Sequence, residues 1–146
     1  WNTGDSEATF GFLQMCIERR FHRVLQSEFE RTTGIGHSRY FVESDVGGAP
    51  MMEDQNRAAE YCYQKKNARI MGWCAHGATC GGFGDGVSDE TIRAELDRVF
   101  EMRVIQFPDA EPHAFFATVH SQLEREHVVV WHKGPVDSST SKSVKT

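Results

Sequence analysis

The run Val128-Val-Val-Trp131 constrains the fold more than any other segment, because it is wholly apolar and rich in β-branched residues. A strand without alternation wants cover on both faces, so this run reads as a buried strand of the parallel type. Phe10 to Ile17 is a second short apolar run suited to a buried strand. With 39% hydrophobic residues, ten Phe and three Trp in 146 residues, a packed core is expected and wholesale disorder is not. That length suits one domain, or a small domain with part of a second.

Between these runs lie helical periodicities. Ile17, Phe21, Val24, Leu25 and Phe29 fall on one stripe that should stop near Thr32–Gly34. Arg39 to Glu43 reads as a strand, and Asp54 as the cap of a helix from about Gln55 to Lys66. Gly77 to Gly86 holds five glycines in ten residues and reads as a linker. Ser88 or Asp89 should cap a helix bearing Ile92, Leu96, Val99 and Phe100. Phe115, Phe116, Val119 and Leu123 suggest one more helical stripe.

The net charge of -5 gives no overall pull toward nucleic acid, so any DNA contact must rest on local basic clusters. No apolar run reaches the roughly 18–20 residues of a membrane span, so no membrane partner is expected. No signal peptide is visible, and a chain opening on Trp1 reads as an internal piece. Cysteines at 16, 62, 74 and 80 are too sparse for a disulfide scaffold and suggest free thiols.

Four constellations bear on chemistry. Gly134-Pro-Val-Asp-Ser-Ser-Thr-Ser-Lys142-Ser143 follows a strand and ends in the Lys-Ser pair of a phosphate-binding loop. The loop glycines of that pattern are replaced by Val136 and Ser141, so a polar terminus is the plainer reading. Tyr61 with Lys65, or Tyr63 with Lys66, places a phenol and an ammonium on one helix face. Such a pair suits nucleophilic attack on a phosphodiester, although a helix carrying Tyr and Lys is also ordinary. Phe12 and Gln14 share a strand face where a metal site would want histidine, and plain core packing competes. Cys62, Cys74, His76 and Cys80 offer a zinc set, at a spacing that matches no recognised finger.

In order and spacing these segments resemble the replication initiator (Rep) of circular single-stranded DNA viruses. Gly11-Phe12-Leu-Gln14-Met-Cys-Ile-Glu18 is similar to its His-hydrophobe-Gln motif, and Glu60-Tyr61-Cys62 to its Tyr-Cys-x-Lys motif. Phe107-Pro108 through Phe116 resembles its linker, and Val129 to Ser143 the start of its helicase.

The resemblance implies an α+β chain: an RRM-like antiparallel nuclease domain over 1–72 and a glycine-rich linker over 73–87. A helical oligomerisation segment over 88–125 and the start of an ATPase over 126–146 would follow. It further implies a rolling-circle nickase and joining enzyme working in a host nucleus on single-stranded DNA and an origin hairpin, as a homo-oligomer. Tyr61 would be the nucleophile with Lys65 beside it, and Gln14 what remains of a Mg²⁺ or Mn²⁺ site. Lys142 and Ser143 would contact ATP with Mg²⁺. Because Phe12, Gln64, Val136 and Ser141 depart from the motifs, catalysis would be impaired. The competing expectation is a non-catalytic nucleic-acid-binding module with a small Cys/His zinc site.

Overall fold

The computed structural model describes residues 9–77, 80, 82–84, 86–122, 125–134 and 144–145, with backbone alone for 120–122, 125–127 and 144–145. Along the chain come β1 (Phe10–Cys16), α1 (His22–Thr33), β2 (Tyr40–Asp45), α2 (Arg57–Lys65), β3 (Ala68–His76) and α3 (Asp89–Gln106). A β-rich end follows: β4 (Glu111–Gln122), β5 (Arg125–Lys133) and the two-residue β6 (Val144–Lys145). One sheet joins the strands in the order β2-β1-β3-β4-β5-β6.

The mixed α/β character read from the sequence holds, but the antiparallel arrangement does not. β1 pairs in parallel with β2 and β3, and β3 in parallel with β4. Only β4–β5 and β5–β6 are antiparallel. Alternation of strand and helix through β4 is the pattern that yields a parallel sheet with helices on both faces. α1 covers one face through Leu25 and Phe29, packed with Leu13, Met15 and Phe115. The other face carries Phe12, Trp73 and Phe116 against Ala59 and Cys62 of α2 and Ile92, Leu96 and Phe100 of α3.

Local chemistry explains where the helices begin and end. α1 stops at Gly34, whose φ of 77° lets its N–H reach the Glu30 carbonyl. α3 starts where the Ser88 hydroxyl accepts the Thr91 N–H at 3.1 Å, with Asp89 and Glu90 in its first turn. α2 begins at Arg57, with Asn56 rather than Asp54 at its cap position.

Two expectations need correction. The stripe at Phe115, Phe116 and Val119 belongs to strand β4, not a helix. Phe115 packs on the α1 face and Phe116 on the α3 face, so adjacent apolar residues are what a doubly covered strand requires. The Val128–Trp131 run is strand β5, as read, yet it pairs antiparallel with β4, Phe116 opposite Trp131. β3 went unread because Met71, Gly72, Trp73 and Cys74 lack β-branching. Gly72 is required there, since a Cβ would come within 2.7 Å of Leu13 Cδ1 and 3.0 Å of the Phe29 ring.

Two buried cations tie α3 to the rest. Arg103, 2% exposed, donates to the Met52 and Glu53 carbonyls at 3.0 Å each and lies over Trp73. Lys133, on β5, reaches Asp97 and Glu101 of α3.

The topology also fixes where a site can form. From β1 the chain moves one way to β2, then crosses back to β3 on the other side of β1. Connections leaving β1 and β3 therefore diverge at the carboxyl ends of those strands. Open α/β sheets place their ligands in the crevice at such a switch point.

Candidate metal centre

Cys16 is the last residue of β1 and His76 the last of β3, so both stand at that switch point. Cys80 returns to them from the loop after β3. One ligating atom from each lies within 4.8 Å of the other two, and the residues are 5%, 1% and 1% exposed. The two Sγ atoms are 3.9 Å apart. Two thiolates at about 2.3 Å from a tetrahedral zinc ion stand about 3.8 Å from each other, so the spacing fits.

The surroundings favour thiolate over thiol. Burial pushes the Cys16 thiol up, but the adjacent His76 ring and backbone N–H groups of Glu18 and Gly47 outweigh it and bring the group down to about 7. Cys80 sits higher than a free thiol through burial and the neighbouring Cys16 sulfur, while the N–H groups of Gly82 and Phe83 pull against that rise. Backbone N–H donors aimed at two sulfurs are the support a metal-bound thiolate needs.

His76 is prepared as a ligand. Its Nδ1–H donates to the Gly77 carbonyl at 2.8 Å, which in the neutral ring leaves the lone pair on Nε2. Nε2 is buried without a partner of good hydrogen-bond geometry. Burial lowers the ring's pKa, but the Cys16 sulfur, the Gly77 carbonyl and Glu18 together outweigh it and shift the ring toward its protonated form in the metal-free chain. A buried lone pair beside two sulfurs, with the opposite nitrogen bonded to a carbonyl, is the arrangement of a metal-ligating histidine.

The loops supplying the N–H donors touch backbone to backbone. A Cβ on Gly82 would stand 2.6 Å from the Gly47 Cα and N, and one on Gly48 would stand 2.5 Å from the Cys74 carbonyl oxygen. Gly47 and Gly48 also have φ values of 85° and 67°, which favour glycine. Gly82→Ala is thus expected to push the loops apart and weaken metal binding about 10–100-fold, the range typical of a lost supporting contact. Isothermal titration with Zn²⁺ measures this, and an unchanged affinity would show that the loop contact does not support the sulfurs.

Of the four residues read from spacing as a zinc set, two stand in this cluster. His76 and Cys80 belong to it, but Cys16 takes the place assigned to Cys62 and Cys74. Cys62 lies on α2 and Cys74 within the α1-face core, and burial raises both thiols. Cys16 was hidden by its apolar run. The cue for it was a cysteine ending one strand and a Cys/His pair closing another, legible only once β3 is recognised.

The other sequence-derived residues stand apart from this cluster. Gln14 is fully buried in β1 and donates to Glu43 at 2.8 Å, beside Phe12 in the core. Tyr61 is 54% exposed on α2, and Lys65 is exposed on its last turn. Lys142 and Ser143 lie outside the described residues.

No family model matches the chain, and no curated protein does. Among solved structures it is similar to a tetrameric β-carbonic anhydrase from the filamentous ascomycete Sordaria macrospora, at 15% identity and a TM-score of 0.46 over 76% of each chain. That likeness is too slight to assign an activity. The resemblance to Rep is overturned: no family model or curated relative supports it, and strands β1 to β4 pair in parallel where it implied an antiparallel nuclease domain. The Phe-Leu-Gln run at its centre is a doubly covered parallel strand, whose residues core packing explains.

Proposed function

We propose that this chain is a zinc-dependent enzyme domain that adds water to a small neutral substrate, its metal held by Cys16, His76 and Cys80. The convergence of those three buried ligating atoms at the sheet's switch point carries the reading. Structural zinc sites are closed by four protein ligands, whereas catalytic ones take three and leave a position open. Three such ligands converge among the described residues. Zinc bound in this way lowers the pKa of a coordinated water from 15.7 to about 7.

The chain's own groups supply the rest. Backbone N–H groups of Glu18, Gly47, Gly82 and Phe83 steady the sulfurs, and the Gly77 carbonyl sets the His76 tautomer. Exposed Ile17, Val46 and Met51 adjoin the ligand loops, Val46 beside Gly82 and Met51 beside Gly47. Apolar neighbours of this kind suit a small neutral molecule better than a charged polymer. The zinc half of the rival reading carries over with Cys16 as the new ligand.

Metal analysis after equilibrium dialysis tests the site, with carbon dioxide hydration and ester hydrolysis as the assays. One zinc per chain with zinc-dependent turnover is expected. Absence of stoichiometric metal overturns the proposal, and metal without turnover on either substrate reduces the site to a structural one.

The pH dependence follows from the ligands. In the metal-free chain Cys16 ionises at about 7, Cys80 above an ordinary thiol, and the His76 ring holds its proton above its usual range. Zinc must displace those protons, so apparent affinity should rise by about tenfold or more per pH unit from 6 to 8. Titration at three pH values, with proton release read from two buffers of different ionisation heat, checks the sign.

A further inference from the structure

We infer that Phe21 is a positioning residue for the metal centre, fixing the plane of the His76 ring; this rests on the zinc-site reading above. The Phe21 ring is fully buried and stacks on His76 with centroids 4.7 Å apart and planes inclined by 29°. On it also lies the Arg20 guanidinium, 4.7 Å from the ring centroid. Both residues belong to the single 3-10 turn at Arg19–Phe21, begun by Glu18, whose carboxylate accepts the Arg20 N–H at 3.2 Å. The segment that supplies the first sulfur thus supplies, five residues on, the wall against the imidazole.

The geometry shows why a wall is needed. The covalent link to Cβ and the bond from Nδ1 to the Gly77 carbonyl fix where the ring lies but resist rolling of its plane only weakly. Rolling would swing the Nε2 lone pair away from the Cys16 and Cys80 sulfurs. A flat contact on the ring face removes that freedom. One in-plane bond and one face contact together define the orientation. His22 steadies the same turn from its far end, donating from Nε2 to the Cys16 carbonyl at 2.7 Å.

Phe21 also packs in the α1-face core, so a merely structural role must be separable from positioning. Phe29 provides the control, being fully buried in the same cluster and in ring contact with Tyr40 and Phe115. Phe21→Leu and Phe29→Leu should lower the thermal midpoint of the metal-free chain to similar extents. Only Phe21→Leu should weaken Co²⁺ binding, by about 10–100-fold in competition with a chromophoric chelator. It should also shift or broaden the visible Co²⁺ bands, which report ligand geometry directly. Phe21→Tyr keeps the flat ring and should restore both affinity and spectrum.

Equal loss of affinity in the two leucine variants, or native Co²⁺ affinity and spectrum in Phe21→Leu, overturns the positioning role. Should Phe21→Leu not fold, Phe21→Met takes its place under the same criteria, since a flexible thioether fills space without a flat face. Unmodified protein that binds no Co²⁺ would overturn the zinc site as well, so the two failures are told apart by the first titration.

Discussion

Cys16→Ser is expected to cost at least about a thousand-fold in zinc affinity, and His76→Gln or Cys80→Ser a comparable amount. A serine hydroxyl does not ionise near neutrality and gives the backbone N–H groups of Glu18 and Gly47 a neutral acceptor in place of an anionic one. Cys62→Ser and Cys74→Ser remove thiols outside the cluster and should leave affinity near that of the unmodified chain. Competition against a chelator of known affinity separates the two groups. Thermal stability offers an independent reading. Zinc held at about a thousand times its dissociation constant adds about 4 kcal/mol to the folded state. For a chain of this size that raises the midpoint by roughly 8–16 °C, and the rise should vanish in Cys16→Ser. If Cys62→Ser weakens binding as much as Cys16→Ser, the ligand set is wrong.

Arg103→Leu should be among the most destabilising single changes in the chain, at about 3 kcal/mol. The guanidinium is 2% exposed, and burial holds its pKa below the usual arginine range against the pull of Glu53, Asp54 and Glu60. Removing it strips the Glu53 carbonyl of this donor and leaves the Met52 carbonyl with the Gln55 N–H alone, and a buried polar group left unpaired costs about 1–3 kcal/mol. Leucine recovers part of the packing on Trp73 but none of the hydrogen bonding. A fall in midpoint of roughly 6–12 °C follows, measurable by differential scanning. Arg103→Lys should recover little, because one ammonium cannot take the place of Nη2 on the two carbonyls and of Nη1 on the Gln106 side chain together. A Lys variant as stable as the unmodified chain would show that charge alone accounts for the anchor.

Much of the fold is legible in the sequence wherever periodicity and caps agree. The glycine stop of α1 and the serine start of α3 were found where the structure has them, whereas the α1 stripe was begun at Ile17, ahead of the helix start at His22. β4 misled because a doubly covered strand with aromatics at 115 and 116 happens to satisfy helical spacing through residue 119. β3 was silent for the opposite reason: Gly72 serves the packing of Leu13 and Phe29, and a glycine in a strand reads as a break. Missing β3 turned the glycine-rich stretch into a linker and detached His76 from the strand that presents it. The metal centre was half legible, since two of its ligands were noticed and the third was read as core. What joins Cys16 to His76 is sheet order, a non-local property that residue spacing does not encode.

That sheet order bears on how the chain folds. Cys16 and Cys80 are 64 residues apart, and they meet only once β3 has docked beside β1. Zinc bound at the proposed site would therefore find its ligands assembled late, once the long loop is closed. An ion bound after the rate-limiting step leaves the folding rate unchanged and slows unfolding. Refolding in the presence and absence of zinc should share one folding arm, while the unfolding arm drops. For this chain the ion would act as a kinetic latch on the finished sheet.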